Sequence, residues 1–283
     1  MNEFKEKYLA VLIDADNISS KNIKNMLIEI SRYGTPTIKR IYGDWTKPDL
    51  VGWKNSLLEH AITPMQQYGY TSGKNSTDSA MIIDAMDILY TGAVDGFCIV
   101  SSDSDFTRLA IRLREAGKTV YGIGERKTPI SFISACSKFI YVEILVQPAA
   151  QNIEIIKATE EEKPLDDKDK NSIAKTDTAI PKIPDKIIRE DLINLISTSV
   201  SDLADDDGWA NLGAVGSNIN KKQPEFDSRN YGFQRLSVLL RSLNSFDLEE
   251  RVIPNSKAKN LYIRNKIEDK NLPVKKKPKG VKR

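Results

Sequence analysis

Apolar residues in the first half of the chain fall into short blocks that alternate with stripes at helical spacing. Leu9 to Asp14 is such a block and predicts a buried strand. Ile23, Met26, Leu27 and Ile30 follow on one face of a helix over 22–32, with Ser19 or Ser20 as its cap, and Gly34 and Thr35-Pro36 turn the chain. The same alternation predicts strands over 37–42, 62–66, 96–100, 119–123 and 139–145. Helices are predicted over 49–60 (with Val51, Leu57 and Leu58 inward), 78–90, 105–116 and 130–137. Strand–helix alternation of this kind implies an α/β domain with a mainly parallel sheet and helices on both faces. Right-handed crossovers bring the carboxyl ends of the strands to one edge, where ligands sit in open sheets.

From residue 148 to 186 the apolar period disappears, and acids alternate with lysines, as in a flexible charged linker. Helical spacing returns at Ile187 to Ser197, is weaker over 211–220, and is strong over 231–243 through Phe233, Leu236, Leu239, Leu240 and Leu243. Residues 246–253 and 260–264 alternate like a two-stranded ribbon. Three helices and a hairpin make a small winged-helix arrangement, of the kind that often meets nucleic acid.

Composition narrows the chemistry. The only histidine among the 283 residues is His60, which argues against histidine-based zinc sites and most Ser-His or Cys-His nucleophile systems. The two cysteines, Cys98 and Cys136, form no metal-type pair, so a reduced, cytoplasmic setting is expected. No apolar run approaches membrane length, and the first residues do not read as a secretory signal. The formal charge is +3, but residues 264–283 hold nine basic and two acidic residues, +7, which leaves −4 for the rest. A basic arm of this kind, with Lys275, Lys276 and Lys277 at its centre, suits a polyanion.

Catalysis, if present, therefore runs on carboxylates. The block ending at Val100 passes into a polar turn carrying Asp103 and Asp105, and the first block ends in Asp14-Ala15-Asp16-Asn17. If these strands are neighbours, up to four carboxylates and an amide converge, and like charges that close require a cation or raised pKa values. Asp78, at a helix start, is a third corner; Asp84, six residues on, lies well around the helix from it and either reaches the pocket rim or pairs with a base. The fitting chemistry is phosphodiester hydrolysis with Mg2+ or Mn2+ on oxygen ligands. Lys39, Arg40, Lys74 and Arg108 could neutralise substrate phosphates, and Tyr42 and Trp45 could stack on bases or pack as core.

Three motifs, LIDADN at 12–17, KNSTDSAMIIDAMD at 74–87 and SSDSDF at 101–106, resemble those of NYN domains in the LabA-like (DUF88) branch of the PIN-like nucleases. The resemblance implies a magnesium-dependent ribonuclease whose acid site maps onto Asp14, Asn17, Asp78, Asp103 and Asp105, with Asp84 at a recurrent motif position; Asp16, by its spacing from Asp14, is expected with Asp84 as an outer support of the site. Residues 207–243, with FDLEER after them, resemble an OST-HTH or LOTUS domain, a class associated with RNA and in some proteins with protein partners. The expected organisation is an NYN-like domain at 1–147, a linker at 148–186, a LOTUS-like winged helix at 187–264 and a basic tail at 265–283. RNA is the expected partner; a protein bound through the LOTUS-like unit and a second copy of the chain are admitted, and a membrane is not. Two other readings stay open. One is an RNA-binding adaptor without activity. The other is a phosphatase, because Asp14-Ala-Asp16 also resembles the haloacid-dehalogenase nucleophile motif, although Ile18 stands where Thr or Val is usual.

Overall fold

The computed structural model describes residues 6–68, 76–146, 186–252 and 259–266. Lys74, Lys275, Lys276, Lys277 and the expected linker up to residue 185 lie outside the described residues. Backbone proximity divides the chain into two units, residues 1–182 with 217–236 and residues 183–216 with 237–283. No described helix is long and apolar enough to cross a membrane.

The first unit is built on six strands: β1 (Tyr8–Asp14), β2 (Thr35–Gly43), β3 (Thr63–Gln66), β4 (Gly96–Val100), β5 (Thr119–Gly124) and β6 (Lys138–Tyr141). All pairings are parallel and the order is β3-β2-β1-β4-β5-β6. The helices are α1 (Ile23–Ile30), α2 (Lys54–His60), α3 (Ser76–Thr91), α4 (Thr107–Glu115), α5 (Ile130–Ala135) and α6 (Val142–Val146). Alternation within the central strands fills a core on each face. Ala10, Leu12, Phe97 and Ile99 join residues of α3, α4 and α5 in one core. Leu9, Val11, Ile13, Cys98 and Val100 join α1 and Leu50 and Trp53 in the other. Strands buried on both faces read as continuous apolar runs, which is why β1 and β4 stand out in the sequence.

Several expectations are corrected. Thr35-Pro36 is strand rather than turn: Pro36 lies opposite Leu9 at a register shift between Leu9 and Ala10, where a residue without an N–H is tolerated. Residues 48–53 form a 3-10 turn before α2, so the period shortens; Leu50 and Trp53 face inward while Val51 and Leu58 are 69% and 78% exposed. The last strand ends at Tyr141, opposite the end of β5 at Gly124, and the chain continues as α6 because no further strand edge is offered.

The C-terminal half supplies α7 (Lys186–Ser201), β7 (Ala210–Asn211), α8 (Leu212–Lys222), α9 (Leu236–Leu243), β8 (Phe246–Val252) and β9 (Lys259–Asn265). The sheet is antiparallel, with order β7-β9-β8. The helix expected over 231–243 starts only at Leu236: Tyr231 ends a 3-10 turn, Ser228–Tyr231, that Gly232 closes with a φ of 85°, and residues 232–235 are not helical.

Candidate metal centre

Three segments meet at the carboxyl edge of the parallel sheet. β1 and β4 are adjacent and end there, and α3 begins there because it follows β3 in the same direction. Asp14 continues the Ala10, Leu12 alternation and so turns to the face that α3 covers. It is only 1% exposed. Oδ2 accepts hydrogen bonds from Asn17 Nδ2 at 2.6 Å and Ser101 Oγ at 2.8 Å, and Oδ1 accepts from the Asp16 amide at 3.1 Å.

Beyond β4, Ser101 Oγ also accepts from the Asp103 amide at 3.1 Å, and Asp103 Oδ1 accepts from the Asp105 amide at 2.9 Å. Asp103 thereby caps the short 3-10 turn Ser104–Phe106 that leads into α4. This local bonding holds Asp103 and Asp105 against the first turn of α3, where Asp78 stands. One carboxylate oxygen from each of Asp78, Asp103 and Asp105 lies within 4.8 Å of the others, the three-acid group among the described residues with metal-ligand spacing.

The charges report this crowding. Burial raises the Asp14 carboxyl above its ordinary value, partly offset by its three hydrogen bonds. Asp78 is pushed up to about 6, first by burial and then by the charges of Asp14, Asp103, Asp105 and Asp16. An all-oxygen donor set with three or more facing carboxylates fits a hard divalent cation such as Mg2+ or Mn2+.

Other residues singled out in the sequence lie elsewhere. Asp84, on the α3 face toward β2, bonds Arg40 and the Tyr42 hydroxyl. Tyr42 is 1% exposed and belongs to the core, so it is not a stacking platform. Lys39 Nζ donates to the His60 carbonyl at the end of α2. Trp45 donates from Nε1 to the Met65 carbonyl at 3.0 Å. Arg108 is exposed in the first turn of α4. Ser101 went unnoticed in the sequence although it touches both acid segments; the small polar pair Ser101-Ser102 after an apolar block is the signal that could have found it. Ser102 Oγ accepts from the Glu125 amide at 2.8 Å, which fastens the same turn to the end of β5.

The first domain is a PIN-like α/β domain with acid-bearing strand ends on one edge of its parallel sheet, and a small helix-and-sheet domain comes after it in the chain. The chain carries an NYN domain over residues 8–145 and an OST-HTH/LOTUS domain over residues 184–257, in that order. NYN domains belong to the PIN-like nuclease superfamily. Three solved structures are similar. A protein of unknown function from Vibrio parahaemolyticus is 20% identical over 49% of this chain and 94% of its own, with a TM-score of 0.40. An uncharacterized protein from Nitrosomonas europaea is 36% identical over 38% and 98%, with a TM-score of 0.29. A segment of a protein from Chromobacterium violaceum is 28% identical over 34% and 96%, with a TM-score of 0.24. No curated protein matches the chain.

Proposed function

We propose that the chain is a metal-dependent ribonuclease whose NYN domain cuts RNA and whose OST-HTH/LOTUS domain and basic tail hold it. The observation that carries this reading is the convergence of Asp78, Asp103 and Asp105 within 4.8 Å beside the buried Asp14. In this reading Asp78, Asp103 and Asp105 hold Mg2+ or Mn2+, and Asp14 adds its charge at the inner wall. When bound, the cation neutralises charge at the scissile phosphate and makes a water more acidic. The chain's own residues do the positioning. Asn17 and Ser101 fix the Asp14 carboxylate, and the Ser101 and Asp103 hydrogen bonds fix the turn that carries two of the ligands. Below about pH 6 Asp78 holds a proton, the group loses one negative charge, and cation binding weakens. Arg108, at the start of α4, and Lys74 supply positive charge to the RNA backbone.

RNA as the substrate is supported by the OST-HTH/LOTUS domain and by the basic residues of the tail. A phosphatase working through an aspartyl-phosphate at Asp14 is disfavoured, because that carboxylate is only 1% exposed and offers an incoming phosphate almost no surface. The test is cleavage of mixed RNA and DNA oligomers in Mg2+, Mn2+ or EDTA, with Asp103→Asn beside the wild type. Metal-dependent cutting of RNA that Asp103→Asn abolishes is expected. Retained cutting by the variant removes the assignment, and tight RNA binding without turnover makes the chain an RNA-binding adaptor.

A further inference from the structure

A cavity of about 320 Å³ opens at the amino-terminal edge of the parallel sheet, away from the acids. α4 starts at the acid turn and runs back against the strands, so Arg114, in its last turn, stands on this edge. α5 ends at Ala135, and Ser137 Oγ just beyond it accepts from the amide of Val120, the second residue of β5, at 3.1 Å. Residues 217–236 belong to the same compact unit as the sheet and close the other side. The Phe139 amide of β6 donates to the Pro224 carbonyl at 2.9 Å, and Lys138 Nζ donates to Asn220 Oδ1 at 3.2 Å. β5 has 6 residues, about 20 Å of strand, and that length separates the cavity from the acid edge.

Every charged residue of the lining is a cation. Arg114, Lys221 and Lys222 line it together with Ser134, Ser137 and Asn220, and no carboxylate does so among the described residues. Glu115 and Glu225, adjacent in sequence to lining residues, are not part of it. Arg114 Nη1 donates to the Ser134 and Ala135 carbonyls at 3.3 and 3.2 Å, which fixes the guanidinium without cancelling its charge. Three like charges around one space repel each other until an anion enters. Arginine, lysine, serine and asparagine are side chains that contact phosphate oxygens, and a guanidinium can hold two oxygens at once. No aromatic ring lines the cavity among the described residues, so a base finds nothing to stack on.

We infer that this cavity holds a backbone phosphate of the RNA, as an anchor remote from the acid group and indifferent to the base. The inference rests on the ribonuclease reading for the identity of its ligand. The phosphate held here is not the one that is cut, because the cavity and the acids lie at opposite edges of the sheet. A strand that uses both places must run from one edge to the other, which a dinucleotide cannot do. Phosphate contacts carry no sequence information, so the anchor adds affinity and register without base preference.

The test uses the full chain and a long unstructured RNA. Binding is followed by fluorescence anisotropy in EDTA over a range of salt, for wild type, for the pair Arg114→Gln with Lys221→Gln, and for Arg112→Gln. Arg112 is an exposed cation of α4 that does not line the cavity. A thermal melt of each variant confirms folding, and Lys221→Gln alone, on an exposed side chain, replaces the pair if the pair does not fold. Cleavage in Mg2+ is assayed in parallel, and equilibrium dialysis of inorganic phosphate separates a free anion from the RNA backbone. The slope of log affinity against log salt should fall by about 0.7 in the pair, the size of one phosphate contact on a single strand, and stay unchanged in Arg112→Gln. An unchanged slope in the pair, or an equal fall in Arg112→Gln, overturns the anchor even if RNA is cut. Inorganic phosphate bound by wild type and lost in the pair, with the RNA slope unchanged, makes the cavity a free-anion site and overturns the anchor as well. RNA bound with the expected change of slope but not cut sinks the ribonuclease reading alone and leaves the anchor standing.

Discussion

The Ser101 hydroxyl donates a 2.8 Å hydrogen bond to Asp14 Oδ2 and so ties the end of β4 to the end of β1. The same oxygen accepts from the Asp103 amide, which makes one buried hydroxyl the joint between the inner acid and the acid turn. Ser101→Ala leaves the Asp14 carboxylate one donor short and the Asp103 amide without this acceptor. Hydrogen bonds to charged groups carry about 1.5–3 kcal/mol. A loss of stability of that order in urea unfolding is expected, with metal-dependent cleavage falling at least as far as in a surface control. A variant as stable as wild type would show that the joint is dispensable.

Gly124, the last residue of β5, supports the same turn from the other side. A Cβ there would lie 2.6 Å from the Ser101 carbonyl oxygen and 2.8 Å from Thr128 Oγ1. The backbone oxygen cannot move without moving Ser101. Gly124→Ala should therefore cost about 1–3 kcal/mol in urea unfolding, the range for overpacking. It should also weaken Mn2+ binding measured by calorimetry. An alanine variant with wild-type stability would mean that the turn has slack.

How far the sequence reveals this site depends on the distance over which each feature acts. β4 is legible to the residue, Gly96–Val100, because a strand buried on both faces is an unbroken apolar run between turn residues. The acid pairs stand out because each follows such a run. Val51 and Leu58 face outward, against the helical period, because a 3-10 turn shifts that period, and nothing local distinguishes three residues per turn from 3.6. The Ser101–Asp14 bond spans 87 residues and depends on β1 and β4 being neighbours. Asp84 could be placed away from Asp78 by helix geometry, but its partners Arg40 and Tyr42 lie on a strand more than forty residues earlier.

The pH dependence of stability without metal has a definite sign. The Asp78 carboxyl is raised from 3.8 to about 6 in the folded chain. Between those values the folded chain binds more protons than the unfolded one, so this group's contribution falls as pH rises. Melting in EDTA from pH 4 to pH 7.5 should show Asp78→Asn gaining on wild type across that window, with the gain absent near pH 4. Adding Mg2+ or Mn2+ at pH 7.5 should raise the melting temperature of wild type and leave that of Asp78→Asn nearly unchanged. A metal shift that is equal in both proteins would remove Asp78 from the ligand set.

Asp84 tests whether the α3 network is a frame for the site. It joins α3 to β2 through Arg40 and the buried Tyr42 hydroxyl. Tyr42→Phe removes one donor and should cost about 1 kcal/mol, while Asp84→Ala strands the tyrosine hydroxyl and should cost about 1–3 kcal/mol. If the network positions α3, Asp84→Asn should weaken Mn2+ binding without abolishing it. Loss of stability with unaltered metal affinity would limit Asp84 to packing.

The tail offers a test that needs no knowledge of the site. Lys275, Lys276 and Lys277 are consecutive in a stretch with a net charge of +7. If they contact phosphates, each releases a counterion on binding, and for single-stranded RNA each contributes about 0.7 to the slope of log affinity against log salt. Changing all three to alanine should lower that slope by about 2 and weaken binding evenly across RNA sequences. The pattern of cut sites should stay as it is, because charge contacts to the backbone carry no base information. An unchanged slope would mean that the tail does not touch RNA, and a changed cut pattern would mean that it does more than hold the chain.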